Sequence, residues 1–225
     1  MNKDIAKRNA AEEAVKYVKN GMVVGLGTGS TAKIAVDIIG HKLSSNFQII
    51  GMPTSIETKK QAEKLGIKLI DIDETDSIDL AIDGADEVSP DMSLIKGLGG
   101  ALLREKKVER KAKELIIIVD EGKLVQKLGR GKLPVEVSSN DYEGIGSKIE
   151  ELGCDASLRI EKDGTPFVTD NQNYIYHCNF ADGIEDPTSL DASLQSIVGV
   201  KDTGLFLDMA TKVIVGNDNG IQIIQ

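Results

Sequence analysis

Apolar residues over the first 130 positions alternate between two spacings. Positions 1–20 carry Ile5, Ala11, Ala14, Val15 and Val18 at helical intervals, and Gly21 is placed to end that helix. Positions 23–26 are short and wholly apolar, which predicts a buried strand. A glycine-rich turn follows, then a helical pattern over 30–39, and 47–50 predicts the next strand. Thr54, Ser55, Ile56 and Glu57 predict a helix opened by a capping box, with Thr54 and Glu57 each serving a backbone N–H of the other's turn, and closed at Gly66. Segments 67–72, 78–82 and 115–119 predict three more strands. Strands apolar on both faces and separated by helices require a parallel sheet covered on both sides.

The pattern changes near Leu133. A strand over 134–137, a helix over 142–152, and short strands over 156–160, 167–169 and 174–178 lead to a helix capped by Asp186, with Pro187 at its first position, running to 197. That order predicts a split βαβ unit. Positions 213–224 predict a hairpin around Asn217–Gly220 whose apolar strands return to the first sheet. The expected fold class is therefore α/β. A Rossmann-like, mostly parallel sheet with helices on both faces spans 1–130 plus 204–225, and a small inserted ferredoxin-like α/β domain spans 131–203. Ligand sites in such sheets form at the carboxyl ends of the strands, where turns and helix N-termini converge.

Composition removes several classes of function. The 225 residues carry a net charge of -9 and only 4% aromatic residues with no Trp, so both the basic face and the stacking platforms of a nucleic-acid binder are missing. The aliphatic run at 115–119 falls far short of the ~20 residues that span a bilayer. The first twenty residues alternate charge with apolar positions and lack the apolar core of a signal peptide, which predicts a cytoplasmic protein. Cys154 and Cys178 have no CxxC spacing, and His41 and His177 stand alone. Neither a disulfide framework nor a metal centre is expected.

Four segments carry chemistry, each at a predicted strand end. Gly25-Leu26-Gly27-Thr28-Gly29-Ser30-Thr31 combines a tight turn, three hydroxyls and the N–H groups of a helix start, which makes an anion cradle. It is neither a dinucleotide fingerprint, since Ser30 replaces the third glycine and no ribose-binding acid follows, nor a Walker A loop, since no lysine precedes the hydroxyl pair. Asp83-Gly84-Ala85-Asp86-Glu87 crowds three carboxylates into one turn, suited to acid–base work on hydroxyls or to a divalent ion, and equally to a solvated acidic loop. Lys96-Gly97-Leu98-Gly99-Gly100 leads into a helix start. Its backbone N–H groups can face an oxyanion, and Glu105 falls in the first turns, where the helix dipole favours a carboxylate that can act as a base. Lys123, after the strand at 115–119, adds a positive charge that an anionic substrate needs against so acidic a background. Together they suit a small phosphorylated carbonyl compound and proton abstraction beside the carbonyl, through an enediolate.

The peptides GLGTGSTA, DGADE, LIKGLGGALLREK, VDEGK and LPVEV, in this order and spacing, resemble the type A ribose-5-phosphate isomerases essentially end to end. The resemblance implies interconversion of ribose 5-phosphate and ribulose 5-phosphate in the non-oxidative pentose phosphate pathway, with no metal or organic cofactor, by a homodimer or homotetramer. Carried over residue by residue, the substrate contacts are Thr28, Gly29, Ser30 and Thr31; Asp83, Gly84, Ala85 and Asp86; Lys96, Gly97, Leu98 and Gly99; and Lys123. Glu105 takes the place of the base, with Asp83 and Lys96 as its catalytic partners, and Lys7 falls where the family often places a phosphate-reaching lysine. Leu98 departs from the family, many of whose members have a third consecutive glycine there. A leucine is expected to keep φ negative, its N–H still open to substrate and its side chain turned away.

Three other readings compete. A sugar-phosphate sensor would need a DNA-binding module, for which the 22 residues before the first strand leave no room. An acyltransferase of related fold would carry its nucleophilic Glu at a strand-to-loop junction. A metal-dependent isomerase would use Asp83, Asp86 and Glu87.

Overall fold

The computed structural model describes residues 2–225, which divide into two compact units. The first comprises residues up to Ala85, Arg104–Leu124 and Met209–Gln225. It opens with α1 (Lys3–Val15), β1 (Val23–Leu26), α2 (Ser30–Lys42), β2 (Ile50–Pro53), α3 (Ile56–Lys64), β3 (Lys68–Leu69) and β4 (Leu80–Asp83). The second comprises Asp86–Leu103 and Val125–Asp208. It receives β5 (Glu87–Val88) and β6 (Leu94–Ile95), and the boundary then passes through α4 (Leu102–Glu109). After β7 (Leu115–Asp120) in the first unit, the second continues with β8 (Lys132–Val137), α5 (Tyr142–Glu150), β9 (Asp155–Leu158), β10 (Tyr174–Asn179), α6 (Pro187–Ser196), β11 (Val200–Thr203) and β12 (Leu205–Phe206). Strands β13 (Lys212–Asn217) and β14 (Gly220–Ile224) return to the first.

Among the described residues the first unit forms a seven-stranded sheet in the order β14-β13-β7-β4-β1-β2-β3, parallel except for the β13/β14 hairpin. One face packs Val24, Leu26, Leu80, Ile82, Ile116, Ile118 and Ile214 against α1, α2 and α3. On the other, a side chain added at Gly25 would come within 3.1 Å of Val108 in α4, so helices cover both faces. Helix α1 turns Ala6, Ala10, Ala11, Ala14 and Val15 inward, so Ala11, Ala14 and Val15 lie on the expected face, while Ile5 alone of that face is exposed. The alanines explain the choice. Any Cβ at Gly216 of β13 would fall 1.9 Å from the Ala6 carbonyl oxygen, so the helix lies too close to the sheet for larger side chains.

Several element bounds differ from expectation. The second strand is 50–53 rather than 47–50: Ile50–Pro53 pairs in register with Val23–Leu26, while Phe47 closes a tight bridge with Ser44. Gly51 and Pro53 are poor strand formers, and sheet pairing overrides that propensity. The expected strand at 67–72 shrinks to β3 and a 3-10 turn. The capping box at Thr54 and Glu57 does not form. Ser55 is the N-cap and accepts from the Thr58 N–H.

In the second unit, β8-α5-β9-β10-α6-β11 forms an antiparallel sheet in the order β11-β8-β10-β9, the split βαβ arrangement. Ile145, Ile149 and Leu194 of its helices pack with Leu133, Val135, Val137 and Cys178. The expected strand at 167–169 is a loop there. A separate three-stranded sheet, β12-β6-β5, draws 86–103 and 205–208 into this unit, whereas the sequence had placed those residues in the first domain. Two-residue strands show no periodicity to read.

The opposite face of the β8/β10 pair carries two titratable groups, Glu136 buried and His177 half-buried. Glu136 accepts at Oε1 from Thr169 (3.0 Å), Asn173 (2.9 Å) and Asn171 (3.3 Å), and burial pushes its pKa up against those donors. Burial, with the cations of Lys132 and Arg159, pushes His177 down to about 4. An unfolded histidine binds a proton near pH 6.5 and the folded one only near 4, so stability rises with pH across that window. His177→Gln is expected to flatten this loss at low pH, read as thermal midpoints of variant and wild type between pH 4 and 7. Equal slopes would mean that His177 is not the group responsible.

Candidate active site

The first unit assembles its site from four strand ends. After β1 the chain turns at Gly27 and enters α2, with Gly29 as N-cap at φ +103°, a conformation that favours glycine. Ser30 is exposed and Thr31 is buried within the first turn. Lys7 reaches across from α1, its Nζ 3.0 Å from Ser30 Oγ, which sets a cation at the start of α2 where the dipole also favours an anion. A cavity of about 340 Å³ opens here, lined by Gly29, Ser30, Lys33, Glu57, Thr58 and Gln61.

Behind that turn lies a hydroxyl cluster that sequence reading missed. Thr28 Oγ1 lies 2.7 Å from Thr54 Oγ1, 2.9 Å from Ser55 Oγ and 3.2 Å from Thr58 Oγ1. Thr54 donates to the Leu26 carbonyl and Thr58 to that of Gly27. Four hydroxyls thus fix both the side chain and the backbone of the turn. The signal was present: Thr54, Ser55 and Thr58 follow a strand end, but Thr54 and Ser55 were read only within a capping box and Thr58 was not singled out.

Asp83 ends β4 and is 1% exposed. Its Oδ1 accepts from the Thr28 N–H at 2.9 Å and the Gly84 N–H at 2.7 Å, so the acidic loop and the hydroxyl turn are locked together. Gly27 makes this approach possible. A Cβ there would lie 2.3 Å from Asp83 Oδ1 and 2.5 Å from the Ile82 carbonyl. Gly27→Ala is expected to cost about 1–3 kcal/mol, as overpacking usually does, and to abolish most turnover. A thermal midpoint and activity equal to wild type would show that the turn tolerates separation from Asp83.

Gly84 and Ala85 are half-buried. Glu105 lies in the first turn of α4 and is 4% exposed, and Lys106 and Glu109 beside it are buried as well. Lys123 closes a 3-10 turn after β7, half-exposed, with Asp120 Oδ1 accepting the Gly122 N–H.

The second unit holds the remaining predicted residues. Asp86 and Glu87 of the acidic loop each serve different backbone amides of this unit. Asp86 Oδ2 accepts from Leu98 at 3.0 Å, and Glu87 accepts from Gly129 at 2.7 Å and from Gly131. Among the described residues no three His, Cys, Asp or Glu side chains group as metal ligands. Lys96 is 2% exposed, its N–H bonded to the Gly204 carbonyl and its ammonium 5.3 Å from the centroid of the Phe206 ring. Gly97 and Gly100 take φ of +91° and +103°, and the Gly100 N–H closes a turn onto the Gly97 carbonyl at 2.9 Å. Leu98 avoids positive φ as expected, but its N–H is held by Asp86 rather than left open. Gly99 is exposed.

The first unit is thus an open α/β sheet that gathers anion-binding amides, hydroxyls and a buried carboxylate at the carboxyl ends of its strands, the ligand-binding class of that fold. The family described as ribose 5-phosphate isomerase A (phosphoriboisomerase A) matches residues 50–220. The chain is 47% identical over 216 residues to ribose-5-phosphate isomerase A of Bacillus mycoides, covering 96% of this chain and 97% of that one. It is 49% identical over 218 residues to that of Streptococcus pneumoniae, covering 96% and 95%. A solved structure of a D-ribose-5-phosphate isomerase in complex with phospho-erythronic acid superposes with TM-score 0.96 at 39% identity over the full length of both chains. The ribose 5-phosphate isomerase A of Methanocaldococcus jannaschii gives 0.93 at 39%, covering 97% of each. The chain belongs to the ribose 5-phosphate isomerase A family.

Proposed function

We infer that this chain interconverts D-ribose 5-phosphate and D-ribulose 5-phosphate through an enediolate. The observation that carries the reading is the tie between Asp83 and the Thr28 N–H, which joins an anion-binding turn to a buried acid within the unit that also holds Glu105. Lys7, Ser30 and the start of α2 receive the phosphate. Asp83 exchanges a proton with the ring or anomeric hydroxyl and opens the furanose. Glu105 takes the proton from C2 and returns it to C1 on the same face. Lys96 and the Gly99 N–H hold the charge that develops on oxygen, and Lys123 makes a further substrate contact. Phospho-erythronic acid, bound by the similar enzyme, supports this chemistry, because its carboxylate has the planar pair of oxygens that an enediolate presents.

The test is direct: purified protein with ribose 5-phosphate and excess chelator, following ketopentose formation. Turnover undiminished by chelator is the expected result. Activity lost to chelator and restored by a divalent ion would replace this mechanism with a metal-assisted one. Among the described residues no helix is long and apolar enough to cross a membrane. We further propose a cytoplasmic homo-oligomer, dimer or tetramer, which sedimentation of the purified chain and fractionation of cells would check.

A further inference from the structure

The peptide between Leu98 and Gly99 sits at the centre of the turn closed by the Gly100 N–H on the Gly97 carbonyl. In a four-residue turn this is the peptide that turns over between type I and type II, and glycine at the third position makes type II, with φ positive there, inexpensive. Yet Gly99 does not take positive φ, although Gly97 and Gly100 do. A specific contact accounts for the choice. Arg159, just past β9, donates from a guanidinium nitrogen to the Leu98 carbonyl at 3.0 Å.

Arg159 is itself held in place. Its guanidinium stacks on Phe167, 3.5 Å from the ring centroid, and the Phe167 N–H bonds the Arg159 carbonyl at 2.9 Å. Both side chains press on the turn. A Cβ at Gly100 would lie 2.6 Å from Phe167 and 3.1 Å from the guanidinium, so glycine is required for the approach as well as for its φ. A trans peptide is planar, with its C=O and N–H pointing in opposite directions. Fixing the Leu98 carbonyl on Arg159 therefore fixes the Gly99 N–H pointing the other way. A charge-assisted bond at the carbonyl also polarises the peptide and strengthens that N–H as a donor. The side of Gly99 where a Cβ would stand is open, with nothing within 4 Å.

We propose that Arg159, backed by Phe167, is a positioning residue for the isomerisation: it selects the turn that aims the Gly99 N–H at the oxygen where charge develops. This rests on the functional reading above. Removing an oxyanion donor costs about 10²–10³ in kcat, and turning one aside costs less, so Arg159→Met is expected to lower kcat roughly 10- to 100-fold with KM nearly unchanged. Arg159→Lys, which keeps a cation but loses the flat stack on Phe167, should recover part of the loss. The thermal midpoint should stay close to wild type in both.

Crystal structures supply a readout independent of turnover. In Arg159→Met the Leu98–Gly99 peptide is expected to turn over and Gly99 to adopt positive φ. Wild-type kcat in Arg159→Met, or a loss of kcat that tracks a loss of thermal stability and is not recovered by Arg159→Lys, would overturn the proposal. So would an unturned peptide in the variant structure. Failure of the wild-type chain to isomerise ribose 5-phosphate would defeat the functional reading instead, and the peptide's orientation would still decide whether Arg159 sets it.

Discussion

Glu105→Gln is expected to lower kcat by about 10²–10⁴ while leaving thermal midpoint and KM close to wild type. The substitution keeps the shape of the side chain and most of its hydrogen-bonding capacity, so the buried first turn of α4 should survive. It removes only the ability to accept a proton. Placement at a helix N-terminus favours the ionised carboxylate, which is the form a base must take. Substrate deuterated at C2 sharpens the measurement. Wild type should show a primary isotope effect and transfer label toward C1 in competition with solvent exchange, whereas the variant should do neither at a comparable rate. Near-normal turnover in Glu105→Gln would move the base to another residue. A variant that loses activity and stability together would make Glu105 a support of α4.

The sheet was legible because parallel strands buried on both faces leave unbroken apolar runs, as at Leu115–Asp120. The hairpin's return to that sheet was legible for the same reason: its apolar strands had to be covered. What escaped was structure set by pairing alone. The two-residue strands β5, β6 and β12 have no period, so the assignment of 86–103 to the second unit could not be read. Among the candidate residues, Thr28–Thr31 and Asp83 announced themselves by residue type at strand ends, and Lys96 and Glu105 by the glycine-rich loop and helix start that lie between them. The hydroxyls of Thr54, Ser55 and Thr58 have the same chemistry, but capping explains them locally, and only three-dimensional contact reveals that they hold Thr28. Arg159 lies 61 residues from the carbonyl it grips, in a stretch with no motif. The fate of Leu98 shows a related limit. Its φ followed from side-chain sterics, but the partner of its N–H depended on where the backbone carried Asp86.

Asp83→Asn separates two roles that the structure combines in one side chain. The amide oxygen of Asn can still accept from the Thr28 and Gly84 N–H groups, so the two loops should stay joined and the fold should hold. The lost property is proton exchange with the sugar, which should lower turnover of ribose 5-phosphate by about 10²-fold or more, the ordinary worth of a general acid–base group. The loss should also have a particular kinetic form. Ribose 5-phosphate is almost entirely cyclic in solution, and ribulose 5-phosphate cannot close a furanose through its phosphorylated C5 oxygen. A variant unable to open the ring must wait for open-chain aldehyde to form spontaneously. Its forward velocity should therefore stop rising with enzyme concentration once solution ring opening is limiting. The reverse reaction, starting from an open chain, should keep rising in proportion to enzyme. Wild type should be proportional in both directions. If the variant's forward velocity scales with enzyme at every concentration while its turnover is depressed, ring opening is catalysed elsewhere and Asp83 acts in the proton transfers between C2 and C1. If turnover is unchanged, its buried carboxylate serves only to join the loops.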